Sequence, residues 1–241
     1  MSDAISFFLV YIIADISKTM ALRVFPDMSA VTALLISYCL IISFYFLIFI
    51  FRKENFLSYI GFKSFNVLDF LLAAVLGIIA NFLTKIAMTV IKLPDGWLSK
   101  FSDSNEALSQ NADKALLIVC IVLLAPVIEE IVFRGALLTS LTRAAGPVLA
   151  AIITSGLFAA AHRGGVIQIF YAFIIGVMLA AIRRRTGSIY AALAFHLTYN
   201  GINFISLPSG DISIGTVAAL ILMLLGGFTV LIRRGKGYEH T

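Results

Sequence analysis

Long apolar runs broken by short polar links cover almost the whole chain. The runs are Ala4–Phe25, Ser29–Phe51, Val67–Ile91, Ala115–Thr142, Gly146–Ala161, Val166–Ile182, Ser188–Ile205 and Ile212–Ile232. A helix needs about 20 apolar residues to cross the roughly 30 Å of bilayer hydrocarbon. Inside that layer only helices and closed barrels pair every backbone group. The pattern therefore predicts an all-α polytopic membrane bundle of about eight transmembrane helices. No Pro/Ser-rich or charged linker divides it, so residues 1–241 read as one integral membrane domain with a core at 115–205.

The first run is the least regular, because Asp15, Lys18 and Arg23 interrupt it; it is read as crossing. Between the second and third runs, FLSYIGF reads as an amphipathic connector at the interface. Lys85, inside the third run, is within a long side chain's reach of the interface and is expected to snorkel. Lys92–Lys114 is the one long polar link, with Trp97 placed as an interfacial anchor. Met1–Ala14 lacks a basic n-region and a small-residue cleavage site, so no removable signal peptide is expected.

Composition sharpens the class. The 241 residues are 61% hydrophobic and 13% charged, with a mean hydropathy of +1.02. Soluble proteins run nearer 45–50% apolar and 25% charged, so only a membrane protein fits. The net charge of +5 is spread over short links and forms no single patch, which excludes nucleic acid as a partner and leaves membrane lipid. With both termini cytoplasmic, Arg52, Lys53, Lys63, Arg143, Arg183, Arg184, Arg185, Arg233, Arg234 and Lys236 fall inside. Only Arg23, Lys92, Lys100, Lys114 and Arg163 fall outside, a bias of the expected sign. Cys39 and Cys120 read as buried apolar thiols.

Against this background the ionisable residues of the fourth run stand out. Glu129, Glu130 and Arg134 sit in ALLIVCIVLLAPVIEEIVFRGALLTSLT, where a mid-bilayer charge costs at least about 2.5–3.5 kcal/mol. Glu130 and Arg134 share a helix face at the i, i+4 spacing and can neutralise each other. Glu129, about 100° round the helix, lacks that partner and is suited to work as a general base. His162, His196 and Asn200 are the other polar residues of note in the second half of the chain, and His196 and Asn200 again share a face. Structural hydrogen bonding between helices would explain any one of them, but together they need partners and are one another's candidates.

Two chemistries fit this set. A carboxylate and a histidine can hold and deprotonate a water while a second histidine and an amide bind the oxyanion formed at a peptide carbonyl. Alternatively, Glu129, His162 and His196 could ligate Zn with a water in the fourth position, although no HExxH is present. Nucleophilic catalysis finds no support, since no G-x-S-x-G occurs.

EEIVFR (Glu129, Glu130, Arg134), FAAAH (Phe158 to His162) and HLTYN (His196 to Asn200) resemble the EExxxR, FxxxH and HxxxN motifs of the CPBP intramembrane proteases. That family is named for CAAX proteases and bacteriocin-processing enzymes, and is also called Abi. The resemblance implies an eight-helix endopeptidase with its catalytic groups in an intramembrane cavity. It further implies Glu129 as the water-activating base assisted by His162, and His196 and Asn200 as oxyanion donors. Glu130 and Arg134 would hold the geometry and Phe158 would pack beside His162. Such enzymes are described both as metalloproteases and as glutamate proteases; the reading of Glu129 favours the second, with no cofactor required. The small size favours a bacterial type in the plasma membrane, acting on a small peptide or membrane-anchored protein. The competing reading is a non-enzymatic membrane protein that acts in bacteriocin self-immunity or regulation by binding a partner. Straight helices would leave His162 too far from Glu129, so a break or tilt is expected near Arg163, Gly164 and Gly165.

Overall fold

The computed structural model describes residues 2–91, 94, 96–97, 99–100, 102–103, 106, 112–162, 164–205 and 213–234. Lys92, Arg163, Lys236 and Ile212, used above for charge placement, the helix break and the start of the last run, lie outside them, as does much of the polar link after Ile91. The described residues form helices and no strands. These are α1 (Ser2–Val24), α2 (Ala30–Arg52), α3 (Phe56–Ile60) and α4 (Val67–Val90). After the polar link come α5 (Lys114–Ala145), α6 (Pro147–Ala161), α7 (Val166–Thr186), α8 (Ile189–Gly201) and α9 (Ile214–Arg234).

The helices begin where side chains can take the free N–H groups of a first turn. Ser29, Asn55, Asn66, Asp113 and Ser188 each accept from a backbone N–H at the start of α2, α3, α4, α5 and α8. Pro147 follows Gly146 at the start of α6, where a missing N–H costs nothing. In α1 two of the charges that interrupt the run pair with each other, Lys18 Nζ lying 2.7 Å from Asp15 Oδ1.

Among the described residues six helices, α1, α2, α4, α5, α7 and α9, are long and apolar enough to cross a membrane. The fifth and seventh runs are present as helices but are shorter than their runs. α6 has 15 residues and α8 has 13, roughly 20 Å each at 1.5 Å per residue. The seventh run loses length because the chain tightens into a 3-10 turn at Ile202–Phe204.

α5 lies at the centre. Every residue from Glu130 through Leu138 is buried, with α1, α3, α6, α7 and α8 packed around this stretch. Val119–Leu124 and Glu130–Leu137 are wound as wider π-helical turns. On one flank, Phe7 of α1 packs with Tyr45 and Phe49 of α2 and Tyr59 of α3. α3 is more than a surface connector: Tyr59 and Ile60 are buried, and Ile60 fills the space where Gly135 of α5 has no side chain.

On the other flank α4 and α8 approach closely. A Cβ on Gly77 would overlap the Phe195 carbonyl and the Thr198 hydroxyl, and that hydroxyl donates to Ala74 O at 2.8 Å. α9 is peripheral, with Leu231 its buried residue; Arg234 Nε stands 3.3 Å from Asp69 Oδ1 at the start of α4.

Lys85 Nζ donates to Ile202 O, at the carbonyl end of α8, at 3.3 Å. One expectation is corrected. Cys120 is buried but Cys39 is exposed, because it lies on a face of α2 turned away from the bundle.

The α4–α8 approach predicts that Gly77→Val forces these helices apart at a cost of about 1–3 kcal/mol. Thermal unfolding in detergent should show a drop of several degrees, while Gly146→Ala, which meets no neighbour but sits at φ 79, tests backbone strain separately.

Candidate intramembrane active site

The site forms where α5, α6, α7 and α8 meet. α5 presents Glu129 at the end of a short α-helical stretch and Glu130 at the start of the second wide turn. Glu130 and Arg134 are both essentially inaccessible, at 0% and 1%. Arg134 Nη1 donates to Glu130 Oε1 at 3.1 Å, and Nη2 donates to Gly176 O of α7 at 3.2 Å. The guanidinium also lies over the Phe158 ring, 4.2 Å from its centroid. A desolvated cation over an aromatic face gains about 2 kcal/mol or more, so Phe158 supports the arginine as well as the histidine beside it.

His196 is brought onto the same carboxylate. Its Nδ1 lies 2.9 Å from Glu130 Oε1. A carboxylate paired with arginine accepts, so this nitrogen donates and the ring is held in one orientation. The other nitrogen, Nε2, faces Glu129 Oε2 at 3.6 Å, wider than a direct hydrogen bond. Glu129 keeps 20% of its side chain accessible, against 0% for Glu130. One glutamate is thus sealed in the packing while the other keeps part of its side chain accessible.

α6 ends at Ala161, and His162 leaves the helix with extended backbone, φ −90 and ψ 115. Gly165 takes φ 87 before α7 begins, a conformation that favours glycine. The break therefore falls at the expected place, although Arg163 is outside the described residues. His162 Nδ1 donates to Phe158 O at 2.8 Å, since a carbonyl can only accept. Its ring packs 4.6 Å from the Phe158 ring, and the His196 ring lies 5.8 Å from Phe158 in an edge-to-face arrangement. The two imidazoles thus flank one phenyl ring. Asn200, one turn beyond His196, donates from Nδ2 to Ile121 O at 3.0 Å, a carbonyl in the first wide turn of α5.

Glu129, Glu130, Arg134, Phe158 and His196 therefore come together as one constellation, with His162 at its edge through Phe158 and Asn200 at its edge through Ile121. The nitrogen that comes up to Glu129 belongs to His196, whereas the motif resemblance pairs Glu129 with His162. As for Zn, Glu129 Oε2 and His196 Nε2 could offer two ligands. His162 is turned onto Phe158, and among the described residues no three His, Cys, Asp or Glu side chains are grouped to hold a metal. The three-ligand set does not fit this geometry.

The sequence did not signal the Arg134–Phe158 stack, the Gly176 carbonyl or the Ile121 carbonyl. All three depend on which helix faces which. The hint available was Gly176, a small residue in α7 that lets α6 approach closely; a Cβ there would crowd Ser155 of α6.

Six helices long and apolar enough to cross a bilayer mark a multi-pass membrane protein. Residues 111–202 match the Rce1-like family, described as type II CAAX prenyl endopeptidase Rce1-like. That segment holds all three motifs, and over it the chain is similar to the CAAX-type proteases of the CPBP family. No curated protein and no solved structure matches the chain.

Removing one member of a buried ion pair strands the other and costs about 3–5 kcal/mol. Arg134→Met should therefore lower the detergent melting temperature by roughly 6–20 °C, and adding Glu130→Gln should recover part of that loss in a double-mutant cycle.

Proposed function

We propose that the chain is an intramembrane endopeptidase that hydrolyses a peptide bond with a water activated by Glu129. The observation that carries this reading is the opposition of the accessible Glu129 carboxylate and His196 Nε2 across 3.6 Å, inside a segment matching an endopeptidase family. With His196 protonated, Glu129, Glu130, Arg134 and His196 sum to zero charge, the arrangement a low-dielectric interior favours.

Glu129 takes a proton from water as the oxygen attacks the peptide carbonyl. The resulting oxyanion is met by His196 Nε2–H and by the Asn200 amide, which has a second N–H besides the one directed to Ile121 O. Glu129 then returns the proton to the leaving nitrogen as the C–N bond breaks. His162, with Nδ1–H fixed on Phe158 O, keeps Nε2 as an acceptor that can orient the same water. Glu130 holds His196, Arg134 holds Glu130, and Phe158 supports Arg134 and His162. No metal is needed for these steps; Zn, if it took part, would polarise the water.

The bundle is proposed to cross the bilayer eight times, with α6 and α8 as short crossings and both termini cytoplasmic in a cell membrane. Residues 1–241 act as one domain around a catalytic core at 115–205. The substrate is proposed to be a small peptide or a membrane-anchored protein, and the likeness to type II CAAX prenyl endopeptidases puts a prenylated CAAX peptide among the first to try.

The test is cleavage of a peptide panel, including a farnesylated CAAX peptide, by purified protein in detergent, with and without a chelator. Glu129→Gln should abolish cleavage. Asn200→Ala should reduce kcat by about 10²–10³, the loss typical of one oxyanion donor, and chelation should leave the rate unchanged. Cleavage that survives Glu129→Gln overturns the assignment of the base; loss on chelation moves the water onto a metal.

A further inference from the structure

We infer that Asn81, on α4 and outside the family-matched segment, is a positioning residue for the site: it fixes the rotation of α8 and through it the direction of Asn200. The inference rests on the reading of Asn200 as an oxyanion donor.

A helix leaves its last carbonyls without intrahelical partners, and at the end of α8 each partner can be named. The Ile202 N–H serves Asn200 O and Thr198 O. Tyr199 O is taken from another helix, by Asn81 Nδ2 at 2.8 Å. The same amide group donates to Asn203 Oδ1 at 2.9 Å, and four residues further along α4, Lys85 Nζ reaches Ile202 O. The Tyr199 hydroxyl donates back to Thr84 Oγ1 at 3.2 Å.

These contacts bracket Asn200. Tyr199 and Asn203 are held from α4 while Asn200 reaches across to Ile121 on α5. Thr198 and Gly77 still tie the middle of α8 to α4, so loss of the Asn81 bonds loosens the end of α8 beyond them and lets the Asn200 amide turn. A positively charged lysine at the carbonyl end of α8 also suits the helix dipole.

Packing alone does not explain the asparagine. Asn81 is 2% exposed, and its own Oδ1 is buried with no partner among the described residues. A leucine would fill the space without that unpaired acceptor. What the amide supplies is the pair of donated bonds to the end of α8.

The experiment reads the rotation directly. The position of a Cβ on Gly201 lies 3.4 Å from Val122 Cγ1, close enough for a disulfide after modest adjustment. Gly201→Cys with Val122→Cys, in a Cys39→Ala/Cys120→Ala background, therefore reports how α8 faces α5 through its rate of oxidative cross-linking in membranes. Asn81→Leu should slow cross-linking several-fold. In the otherwise native chain it should lower kcat for the panel peptide by roughly 10- to 100-fold with KM little changed. Asn81→Ser, which can reach one acceptor but not both, should fall between and guards against a leucine variant that fails to fold. Cross-linking at the parent rate in the folded variants overturns the inference, whatever the cleavage rate; slowed cross-linking with full kcat overturns it as well. If the unsubstituted protein cleaves nothing, the peptidase reading fails and cross-linking alone decides whether Asn81 sets α8.

Discussion

Arg134 carries a full positive charge in a place with no access to water, and most of the surrounding architecture answers that fact. An isolated charge in a low-dielectric interior is penalised far more than any single contact can offset. The guanidinium is therefore met from three helices at once: by Glu130 along α5, by Gly176 O from α7 and by the face of Phe158 from α6. Each of those contacts fixes where a helix sits. Glu130, once held by the arginine, holds His196 in turn, so the placing of this imidazole derives from the neutralisation of a cation two contacts away.

The N-terminal half serves the same site from outside. α3 inserts Ile60 beneath Gly135 of α5, and Arg183 of α7 donates to Ile60 O, so the connector ties two core helices together. α4 runs along α8 at close quarters through Gly77 and Thr198. Contacts outside the candidate site thus set the rotation of α8, which explains how a helix only 13 residues long can hold His196 and Asn200 in fixed directions.

The apolar helices, the pairing of Glu130 with Arg134 and the chain break after Ala161 are all legible in the sequence, because each depends on local rules: apolar run length, i, i+4 spacing and paired glycines. Which nitrogen faces Glu129 is not legible there. That depends on the tilt of α8 against α5 and on the wide turns of α5, and neither leaves a periodic signal. The partner of Lys85 is hidden from the sequence for a related reason: the Ile202 carbonyl it reaches lies more than a hundred residues along the chain. α8 falls short of its apolar run because apolar composition continues past Gly201 into the 3-10 turn, whereas α6 is short because its run is.

The wide turns of α5 have a mechanical meaning. A π-helical turn closes its hydrogen bond one residue later than an α-turn. Each such stretch therefore accommodates more residues per turn and shifts the phase of the helix beyond it relative to the helix before it, by about 100° for one extra residue. Val119–Leu124 lies just before the glutamates and Glu130–Leu137 begins with the second of them. α5 thus behaves as a rod with two built-in phase offsets: its ends can satisfy the packing of the bundle while its middle is turned to satisfy the chemistry, and two demands that one regular helix could not meet are separated along its length.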